Sequence, residues 1–509
     1  MKLVRLNLIK IQKYNVHYLR SQLLLPNFNK NLTGKHKESP KKDRSDNETK
    51  SISCQILENN GFISDSTHSG HITYLPLGKR VLNKLTAIIR DEMNKISGQE
   101  IEMPSICDIN LWNKTGRNEL MGNELFRLND RNQKKFCLCP THEELVTTLV
   151  SKYSKLISNT CLGDTQSLRL YQITRKYRDE SRPKHGLLRT REFLMKDMYS
   201  FHLSDSCVEK TYDEVCKSYE AIFDRLDLNY KKVNASVGAM GGKKSHEYHI
   251  ESEVGEDKVY SCLKCSKSIS ADLINEKITN NEPFRQEDLC RLTDCCNELN
   301  NNQVLDHKRC IEIGHTFILG DRYTKCFPID LVRNGKENSK NNNIVMGCYG
   351  IGVSRLLQAS VDCHQLENHY PNWPLEIAPF QIAIIPARKG SKEEEKSQRL
   401  VKYLCEMFES NHLFKDDVYV DDRDWLTIGN RLVDTKLIGV PYIIVLGKCI
   451  HDEQLEIIIN STILQKALNK QTLNCHTRET AHVIKQLNND YLYARKQSKL
   501  ADYFRSQMN

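Results

Sequence analysis

Long apolar runs are missing from this sequence of 509 residues, and so is any compact cysteine framework. No stretch of about 18 consecutive apolar residues occurs, so the sequence predicts no membrane-spanning helix and no membrane association. The 19 cysteines are odd in number and scattered, which argues against a secreted disulfide scaffold and favours a reducing compartment. With 39% hydrophobic and 27% charged residues, the chain has an ordinary globular composition and room for two or three domains.

Acidic residues are absent from positions 1–37, which carry eight Lys or Arg. A secretory signal needs a continuous apolar core, which this segment does not have. A basic, acid-free, amphipathic start is typical of an organellar transit peptide, and a disordered basic tail is the alternative. Residues 31–50 have few large apolar side chains. We therefore predict that residues 1–50 are a transit peptide and a disordered linker, with order beginning near Ser51.

The remaining chain has two regions of different texture. The pattern of residues 51–375 predicts a mixed domain of helices and strands. The Asn-rich segment 276–310 is predicted to be a short surface insertion in it. In residues 376–487 short apolar strands alternate with helices, which indicates a smaller domain with a mostly parallel sheet. Residues 488–509 are predicted to form a C-terminal tail.

A cationic stretch lies between two strand-like runs of the first domain. The sequence RKYRDESRPKHGLLRTREF, from Arg175 to Phe193, contains seven Lys or Arg. If segments 168–174 and 193–201 are antiparallel neighbours, this stretch connects them. Guanidinium groups suit a polyphosphate, because their planar forks donate paired hydrogen bonds to anionic oxygens. A solvated hairpin with weak surface ion pairs is the alternative.

A second motif points to the same kind of ligand. The sequence MGCYGIGVSRLL, from Met346 to Leu357, combines closely spaced glycines with Arg355. Glycines let the backbone approach a ligand, and an arginine can reach a phosphate or stack on a base. A tight strand–helix junction would also explain the glycines. Together the two motifs favour a nucleotide site over either alternative.

These motifs resemble those of class II aminoacyl-tRNA synthetases. YRDE with RTREF resembles the second signature motif and GIGVSR the third, while the predicted helix and strand ending at Pro104 resemble the first, which builds a dimer interface in that family. LCPTHEE, SRPKHGLLRTREFLMKDMYSFH, SHEY and MGCYGIGVSR resemble the prolyl-tRNA synthetases of bacteria and mitochondria more narrowly. The resemblance implies an α+β fold, with a catalytic domain built on a six-stranded antiparallel sheet flanked by helices and a smaller α/β anticodon-binding domain.

The resemblance also implies a reaction, its ligands and a site. Proline, ATP and tRNA(Pro) would be the substrates of a mitochondrial homodimer, and Mg²⁺ would bridge the phosphates, although no protein ligands can be assigned to it. Arg178 would contact the α-phosphate and the proline carboxylate, and Glu180 the adenine amino group. Phe193 and Arg355 would stack on adenine, while Arg189 and Arg355 would hold the outer phosphates. The catalytic residues would be Arg178, Glu180 and Arg355.

The proline and tRNA contacts follow from the same resemblance. Glu143 and Thr141 would accept the secondary ammonium of proline, and the remaining pocket residues would be Arg178, Met195, Tyr199, His315 and Cys348. Thr141 is also a predicted helix N-cap, since Glu144 lies three residues on, as in a capping box. Arg182 and Lys184 at the hairpin tip would contact the tRNA acceptor stem, with solvated charge as the alternative.

The sequence departs from bacterial relatives at two places, and beside one of them it carries a pair of cysteines. Only 54 residues separate Tyr260 from His315, too few for an editing domain of roughly 180 residues. Trp425 and Leu426 stand after the Asp-Asp-Arg motif where those relatives have Glu-Arg, which leaves the anticodon contacts undetermined. Cys262 and Cys265 could contribute to a zinc site, but the irregular spacing of the later cysteines favours an ordinary surface turn.

Two other functions remain open at this stage. A catalytically inactive accessory protein that binds nucleic acid could retain the same fold, and a class II synthetase could act on another amino acid. The joint presence of the predicted ATP-binding residues argues against the first. The Thr141–Glu143 loop and the MGCYG motif argue against the second.

Overall fold

The computed structural model describes residues 18–25, 50–65, 68–154, 166–262, 267–277, 306–329, 332–333, 336–337, 344–364 and 370–508. They fall into two compact units. The C-terminal unit comprises 1–64, 74–81 and 364–509, and the central unit comprises 65–73 and 82–363. No helix in the described part of the chain is long and apolar enough to cross a lipid bilayer.

The strands of the described residues are numbered in chain order. They are β1 Ile63–Asp65, β2 Ile72–Tyr74, β3 Gln99–Glu100, β4 Ile106–Asp108, β5 Arg127–Asn129, β6 Lys135–Leu138, β7 Leu168–Tyr177, β8 Glu192–His202, β9 Tyr230–Asn234, β10 Lys244–Glu251, β11 Asp257–Ser261, β12 Ser268–Ser270, β13 Asp306–Gly320, β14 Val332–Arg333, β15 Lys336–Glu337, β16 Val345–Gly352, β17 Ile382–Ile385, β18 Val418–Val420, β19 Tyr442–Val445, β20 Gln454–Ile459 and β21 Thr472–His476.

The α-helices are numbered in the same way. They are α1 Ile52–Asn59, α2 Pro76–Lys95, α3 Ile109–Lys114, α4 Arg117–Leu120, α5 Glu143–Lys152, α6 Asp205–Arg225, α7 Ala271–Lys277, α8 Arg322–Cys326, α9 Val353–His364, α10 Glu394–Glu409, α11 Ile428–Ile438, α12 Thr462–Leu468 and α13 Thr480–Met508. Helices and strands are mixed in both units, as the α+β prediction requires.

A nine-stranded sheet forms the centre of the central unit. Its order is β10-β9-β12-β11-β13-β16-β8-β7-β3. Most neighbours are antiparallel, but β3 pairs parallel with β7 and β12 pairs parallel with β9. The expectation of six antiparallel strands is therefore wrong in number, because short strands extend the antiparallel centre on both sides.

The predicted hairpin is confirmed by the pairing of β7 with β8. Leu168 lies opposite Phe201 and Tyr177 opposite Glu192, so the cationic stretch connects antiparallel neighbours. Strand β8 also pairs with β16, and this pairing sets Met195 opposite Gly352. The first predicted nucleotide-binding motif consequently ends on β8, which is the neighbour of the strand β16 on which the second motif begins.

Helix α6 covers one face of this sheet. Ser204 caps its first turn by accepting a hydrogen bond from the backbone N–H of Cys207. Its buried rings pack on rings of the sheet, with Tyr219 5.6 Å from Tyr248 and Tyr212 6.1 Å from Tyr349 between centroids. Since side chains alternate along a strand, the residues next to these rings, such as Cys348, face the other side of the sheet.

The C-terminal unit contains the predicted α/β arrangement. Its five-stranded sheet has the order β18-β17-β19-β20-β21, with β18, β17 and β19 parallel and the last two strands antiparallel. Helices α10 and α11 lie between the parallel strands in sequence, as the alternating pattern predicts. The unit therefore has the fold class expected of it.

The Asp-Asp-Arg motif of this unit has a structural role. Arg423 donates to Asp421 at 2.6 Å and to Asp434 at 2.7 Å. All three side chains are buried or nearly so. Burial of a charged group is costly unless the charge is paired, so this cluster fixes the end of β18 against α11.

Three predicted domain boundaries differ from the structure. Helix α1 and residues 364–375 belong to the C-terminal unit rather than to the 51–375 domain, and Phe62 packs on Trp373 there with 5.1 Å between ring centroids. The predicted insertion 276–310 ends too late, because β13 already begins at Asp306 and Cys310 is buried. Residues 278–305 lie outside the described part.

The predicted boundary between the C-terminal domain and a tail at 488–509 also differs from the structure. Helix α13 continues without a break through position 487. Ile484, Leu487 and Tyr491 are buried in the hydrophobic core of the C-terminal unit. Their helical spacing places all three on one face, so the start of the predicted tail is part of the core.

Candidate active site

A cavity of about 390 Å³ lies on the face of the central sheet away from α6. Ten residues predicted to bind ATP or proline line it, although they come from four distant stretches of sequence: Thr141, Glu143, Arg178, Glu180, Arg189, Phe193, Met195, His315, Cys348 and Arg355. Their individual roles stay predictions, but the cavity brings them together as one site.

The β7–β8 hairpin positions Arg178 at the cavity. The backbone N–H of Arg178 donates to the carbonyl of Arg191 at 3.0 Å, which continues the hairpin ladder past Tyr177. Its guanidinium carbon lies 5.3 Å from the centre of the Phe193 ring. Burial, followed by the positive charge of Arg355, lowers the pKa of Arg178. The site therefore concentrates positive charge where an anion would relieve it.

Glu180 and Arg189 form a pair at the edge of the same cavity. Arg189 Nε lies 2.7 Å from Glu180 Oε2, and Arg189 also pairs with Glu256. Burial opposes ionisation of Glu180, but the hydrogen bond from Arg189 outweighs it and the pKa of Glu180 is lowered. Glu180 is therefore a charged acceptor at neutral pH.

Arg355 is held by groups of the site itself. It donates to the carbonyl of Leu188 at 3.1 Å and to the carbonyl and carboxylate of Glu312 at 3.0 and 3.2 Å. An adjoining cavity of about 240 Å³ shares Glu180, Leu188, Arg189, Glu312 and Arg355 with the first. Arg189 and Arg355 thus face both cavities, and in the second one they lie beside the carboxylates of Glu180, Glu256, Asp257 and Glu312.

The Thr141–Glu143 loop supplies the acidic part of the cavity. Thr141 Oγ1 lies 2.7 and 2.8 Å from the two carboxylate oxygens of Glu143, and the Cys348 thiol donates to Glu143 at 3.2 Å. Helix α5 begins at Glu143 with His142 as its cap residue and no side-chain cap. The N-cap prediction for Thr141 is therefore wrong, because its hydroxyl is engaged by Glu143.

Arg117 is a cavity residue that the sequence analysis missed. Its Nη1 lies 2.9 Å from Glu143 and 3.2 Å from Glu144, and its guanidinium carbon lies 4.7 Å from the Trp112 ring centre. Burial raises the pKa of Glu144 to about 7, opposed by the charge of Arg117. In the sequence Arg117 lies in the polar run NKTGRNEL, which carries no signal of burial.

Tyr199 lies behind the cavity rather than on its wall. Its hydroxyl donates to Asp197 at 2.9 Å and accepts from the backbone N–H of His142 at 2.9 Å. Asp197 lines the cavity and also pairs with the buried Lys176 at 2.7 Å. The predicted direct contact of Tyr199 with a ligand is thus not supported, because Asp197 and the loop cover it.

Two carboxylates and one imidazole lie close together on the cavity wall. They belong to Glu247, Glu312 and His315, and we call them the acidic cluster. One ligand atom of each lies within 4.8 Å of the others. His315 Nδ1 lies 3.1 Å from Glu312. Burial opposes ionisation of Glu312, but the hydrogen bond with His315 and the charge of Arg355 prevail and lower its pKa. The sequence analysis assigned no metal ligands, and neither Glu was singled out there.

The two predicted tRNA contacts lie at the hairpin tip. Arg182 is exposed, and its backbone N–H donates to Glu180 at 3.0 Å. Lys184 pairs with Glu256 at 2.8 Å. Neither lines the main cavity, which agrees with a contact to a ligand outside it, and both roles stay predictions.

Of the two cysteines considered for a zinc site, Cys262 is buried, and Cys265 lies outside the described residues.

Comparison with known proteins identifies the architecture that carries this site. Residues 126–364 match the tRNA synthetase class II core domain of the G, H, P, S and T enzymes, and residues 381–482 match an anticodon binding domain. Prolyl-tRNA synthetase of Giardia lamblia, solved with prolyl-adenylate, has a similar fold at a TM-score of 0.65 and 16% identity, over 87% of this chain and 78% of that one.

Two curated relatives are much closer in sequence. A probable mitochondrial proline–tRNA ligase of Rattus norvegicus is 40% identical over 74% of this chain and 73% of its own length. The corresponding protein of Schizosaccharomyces pombe is 35% identical over 82% of this chain and 92% of its own length. Such identity over about three quarters or more of this chain, together with the matched core and anticodon binding domains, means that the chain belongs to the proline–tRNA ligase family of class II aminoacyl-tRNA synthetases.

Proposed function

We propose that this protein activates L-proline with ATP to form prolyl-adenylate and then transfers the prolyl group to tRNA(Pro). The observation that carries the proposal is one cavity that holds Glu143 and Thr141 together with Arg178 and Arg355. A carboxylate suits the secondary ammonium of proline, while two guanidinium groups suit the phosphates and the proline carboxylate. Family membership supports the same reaction.

The first step joins two anions, and Arg178 is the residue that relieves their repulsion. The proline carboxylate forms a bond to the α-phosphorus, and the bond from that phosphorus to the leaving pyrophosphate breaks. Arg178 would donate to both groups as charge gathers between them. Glu180 would accept from the adenine amino group, and Phe193 and Arg355 would enclose the base. Arg189 would bind outer phosphates in the adjoining cavity.

Proline would bind beside Glu143. Its ring is apolar and its ammonium has two donors, so the pocket needs an acceptor next to apolar walls. Glu143 and Thr141 would provide acceptors, and Met195 and Cys348 lie on the surrounding wall. His315 would close the edge, and Tyr199 would act indirectly, by holding the Thr141 loop through its hydroxyl.

The acidic cluster fits the Mg²⁺ expected with ATP. Magnesium prefers carboxylate oxygen ligands and phosphate oxygens, which Glu312 and Glu247 can supply together with the nucleotide. His315 suits this ion poorly as a ligand and would instead orient Glu312. When bound, the ion would neutralise part of the phosphate charge.

The second step uses the tRNA. The 3′-hydroxyl of its terminal ribose attacks the prolyl carbonyl, and AMP leaves. Arg182 and Lys184 would contact the acceptor stem from the hairpin tip, and the C-terminal unit would bind the anticodon. The protein would work as a homodimer in the mitochondrial matrix, after loss of a transit peptide. The mitochondrial relatives and the basic start support this location, and the resemblance of α2 and β3 to the first class II motif supports the dimer.

Proline-dependent ATP–pyrophosphate exchange tests this function. The purified protein should exchange pyrophosphate into ATP with proline and not with threonine or glycine, and it should charge tRNA(Pro). Exchange with another amino acid alone would replace the substrate, whereas tRNA binding without any exchange would favour the accessory-protein alternative. Light scattering in solution tests the dimer independently.

A further inference from the structure

A short N-terminal segment, Tyr18–Leu23, lies on the edge of the sheet in the C-terminal unit. Leu19 forms a parallel bridge with Val420 of β18, and the backbone N–H of Val420 donates to the carbonyl of Tyr18 at 3.2 Å. Strand β18 is otherwise the edge of its five-stranded sheet. The segment therefore satisfies an edge that would present unpaired backbone groups without it.

Side chains of the segment are built into the unit. Leu19 is fully buried and belongs to the same hydrophobic core as Val418 and Val420. The Tyr18 ring lies 5.1 Å from the Phe380 ring, and the guanidinium of Arg80 stacks on Tyr18 at 4.3 Å. An incidental surface contact would not fill a core position in this way.

Polar contacts fix the direction of the segment. Ser21 donates from its backbone N–H and its hydroxyl to the carboxylate of Asp422, at 2.9 and 2.6 Å. Arg20 is only 6% exposed, and the acidic groups of Asp421 and Asp434 offset part of the cost of burying it. Two successive residues thus engage the Asp-Asp-Arg region that follows β18.

This packing conflicts with removal of the whole basic start. Positions 1–37 have the composition of a transit peptide, and such peptides are cleaved off. Cleavage after Leu23 would delete Leu19 from the core, expose the edge of β18 and leave the buried carboxylate of Asp422 without Ser21. Positions 1–17 already carry four Lys or Arg and no acid, so they retain the targeting composition by themselves.

We propose that Tyr18–Leu23 is a permanent part of the C-terminal unit, with Leu19 bridged to the edge strand β18 and a 3₁₀ turn at Arg20–Gln22, and that any proteolytic processing of the N-terminus occurs before Leu19. The structural half of this inference stands on the contacts alone. The processing half rests on the proposed mitochondrial location.

Hydrogen exchange in the full chain tests whether the segment Tyr18–Leu23 stays packed on β18. Leu19→Ala should speed amide exchange in peptides spanning 418–422 at least tenfold, while Gln22→Ala, an exposed position in the same segment, should leave it unchanged. Peptides spanning 442–445 of the inner strand β19 serve as the internal reference. Ser21→Ala gives a second, milder variant if Leu19→Ala does not fold. Equal exchange in all variants, or fast exchange of 418–422 in the unchanged protein, overturns the proposal.

Treatment of the full chain with purified mitochondrial processing peptidase tests the cleavage position. Mass spectrometry of the product should show an N-terminus at or before Tyr18, or an uncut chain. A product that begins at Leu19 or later overturns the processing half while leaving the proposed catalytic function untouched, because that function is measured separately by pyrophosphate exchange.

Discussion

Single side chains in the cavity combine opposite charges at close range. Arg178 and Arg355 repel each other, whereas Glu143 is surrounded by donors from Arg117, Thr141 and Cys348. An ammonium group beside Glu143 and a polyphosphate beside Arg178 and Arg355 would together satisfy both sets of charges. The charges therefore suit two different ligands rather than one.

Replacement of Arg178 by Ala should abolish adenylate formation. The change removes a donor where negative charge develops, so proline-dependent pyrophosphate exchange should fall by about 100-fold or more. Arg175→Ala is the matched control, because Arg175 lies on β7, three positions before Arg178, but is exposed and pairs with Glu192. Near-normal exchange by a folded Arg178→Ala protein would contradict the assigned role.

Replacement of Arg117 by Met should weaken proline binding more than ATP binding. It leaves Glu143 and Glu144 buried without their cation, so protonation of Glu144 becomes more favourable. KM for proline should rise roughly tenfold or more at pH 7 and recover in part toward pH 9, since the pKa of Glu144 is already raised to about 7. Arg127→Met on β5 is the control, and a defect that is independent of pH would argue for lost packing instead.

Lys196 should make the stability of the central unit depend on pH. It is fully buried, donates to Tyr219 and to the carbonyl of Tyr349, and burial lowers its pKa from 10.5 to about 7. Between these values the folded chain binds fewer protons than the unfolded chain, so stability rises with pH over that window, by at most about 1.4 kcal/mol per pH unit. Below pH 7 Lys196 is charged in the folded and in the unfolded chain, so the full free-energy cost of burying that charge lowers the stability.

The Lys196→Met variant tests this assignment. Urea unfolding followed by tryptophan fluorescence, to which Trp112 of the central unit contributes, should show the unchanged protein gaining stability relative to the variant from pH 7 to pH 10. A difference between the two proteins that stays constant over this range would contradict the assignment.

Strands and turns hold the cationic hairpin in place. Gly70 approaches the tip closely, since its carbonyl accepts from the backbone N–H of Arg191 at 3.1 Å. Its φ is +84°, and a Cβ there would lie 2.8 Å from Pro183 Cβ. The turn before β2 therefore supports the loop that carries Arg182 and Lys184.

Gly70→Ala should impair aminoacylation through this loop. Backbone strain and the clash with Pro183 should lower kcat/KM for tRNA roughly tenfold or more. Gly390→Ala is the matched control, because its φ is +81° but no atom lies within 4 Å of the added Cβ. Equal losses in both variants would show that strain alone, and not the loop contact, explains the effect.

The complete chain carries a net charge of +9, which favours binding of a polyanion. tRNA contacts release counterions, whereas contacts with proline do not. Aminoacylation should therefore depend more steeply on salt than pyrophosphate exchange does.

Arg182→Ala should separate the two reactions. The variant should keep pyrophosphate exchange, lose aminoacylation efficiency, and show a flatter dependence of the tRNA KM on salt concentration between about 50 and 200 mM. Asn132→Ala, an exposed change on another loop, serves as the control. Unchanged aminoacylation would remove Arg182 from the tRNA contacts.

Local patterns were sufficient to predict the hairpin and the α/β texture of the C-terminal unit, whereas the ten predicted cavity residues followed from the resemblance to the prolyl-tRNA synthetases. Alternation along β7 and β8 identifies their faces, and the spacing within YRDE and GIGVSR keeps neighbouring residues of each motif together. These features depend on residues close in sequence, so periodicity and motif order contain them.

Long-range packing determined the rest. Arg117 reaches Glu143 across 26 positions, Cys348 reaches the same carboxylate across 205, and Ser21 reaches Asp422 across 401. Four features depend on such contacts: the burial of Arg117, the indirect position of Tyr199, the extension of the core into α13 and the packing of the N-terminal segment Tyr18–Leu23. No local pattern encodes them, because the free energy of burial is set by the surfaces that meet after the chain has folded.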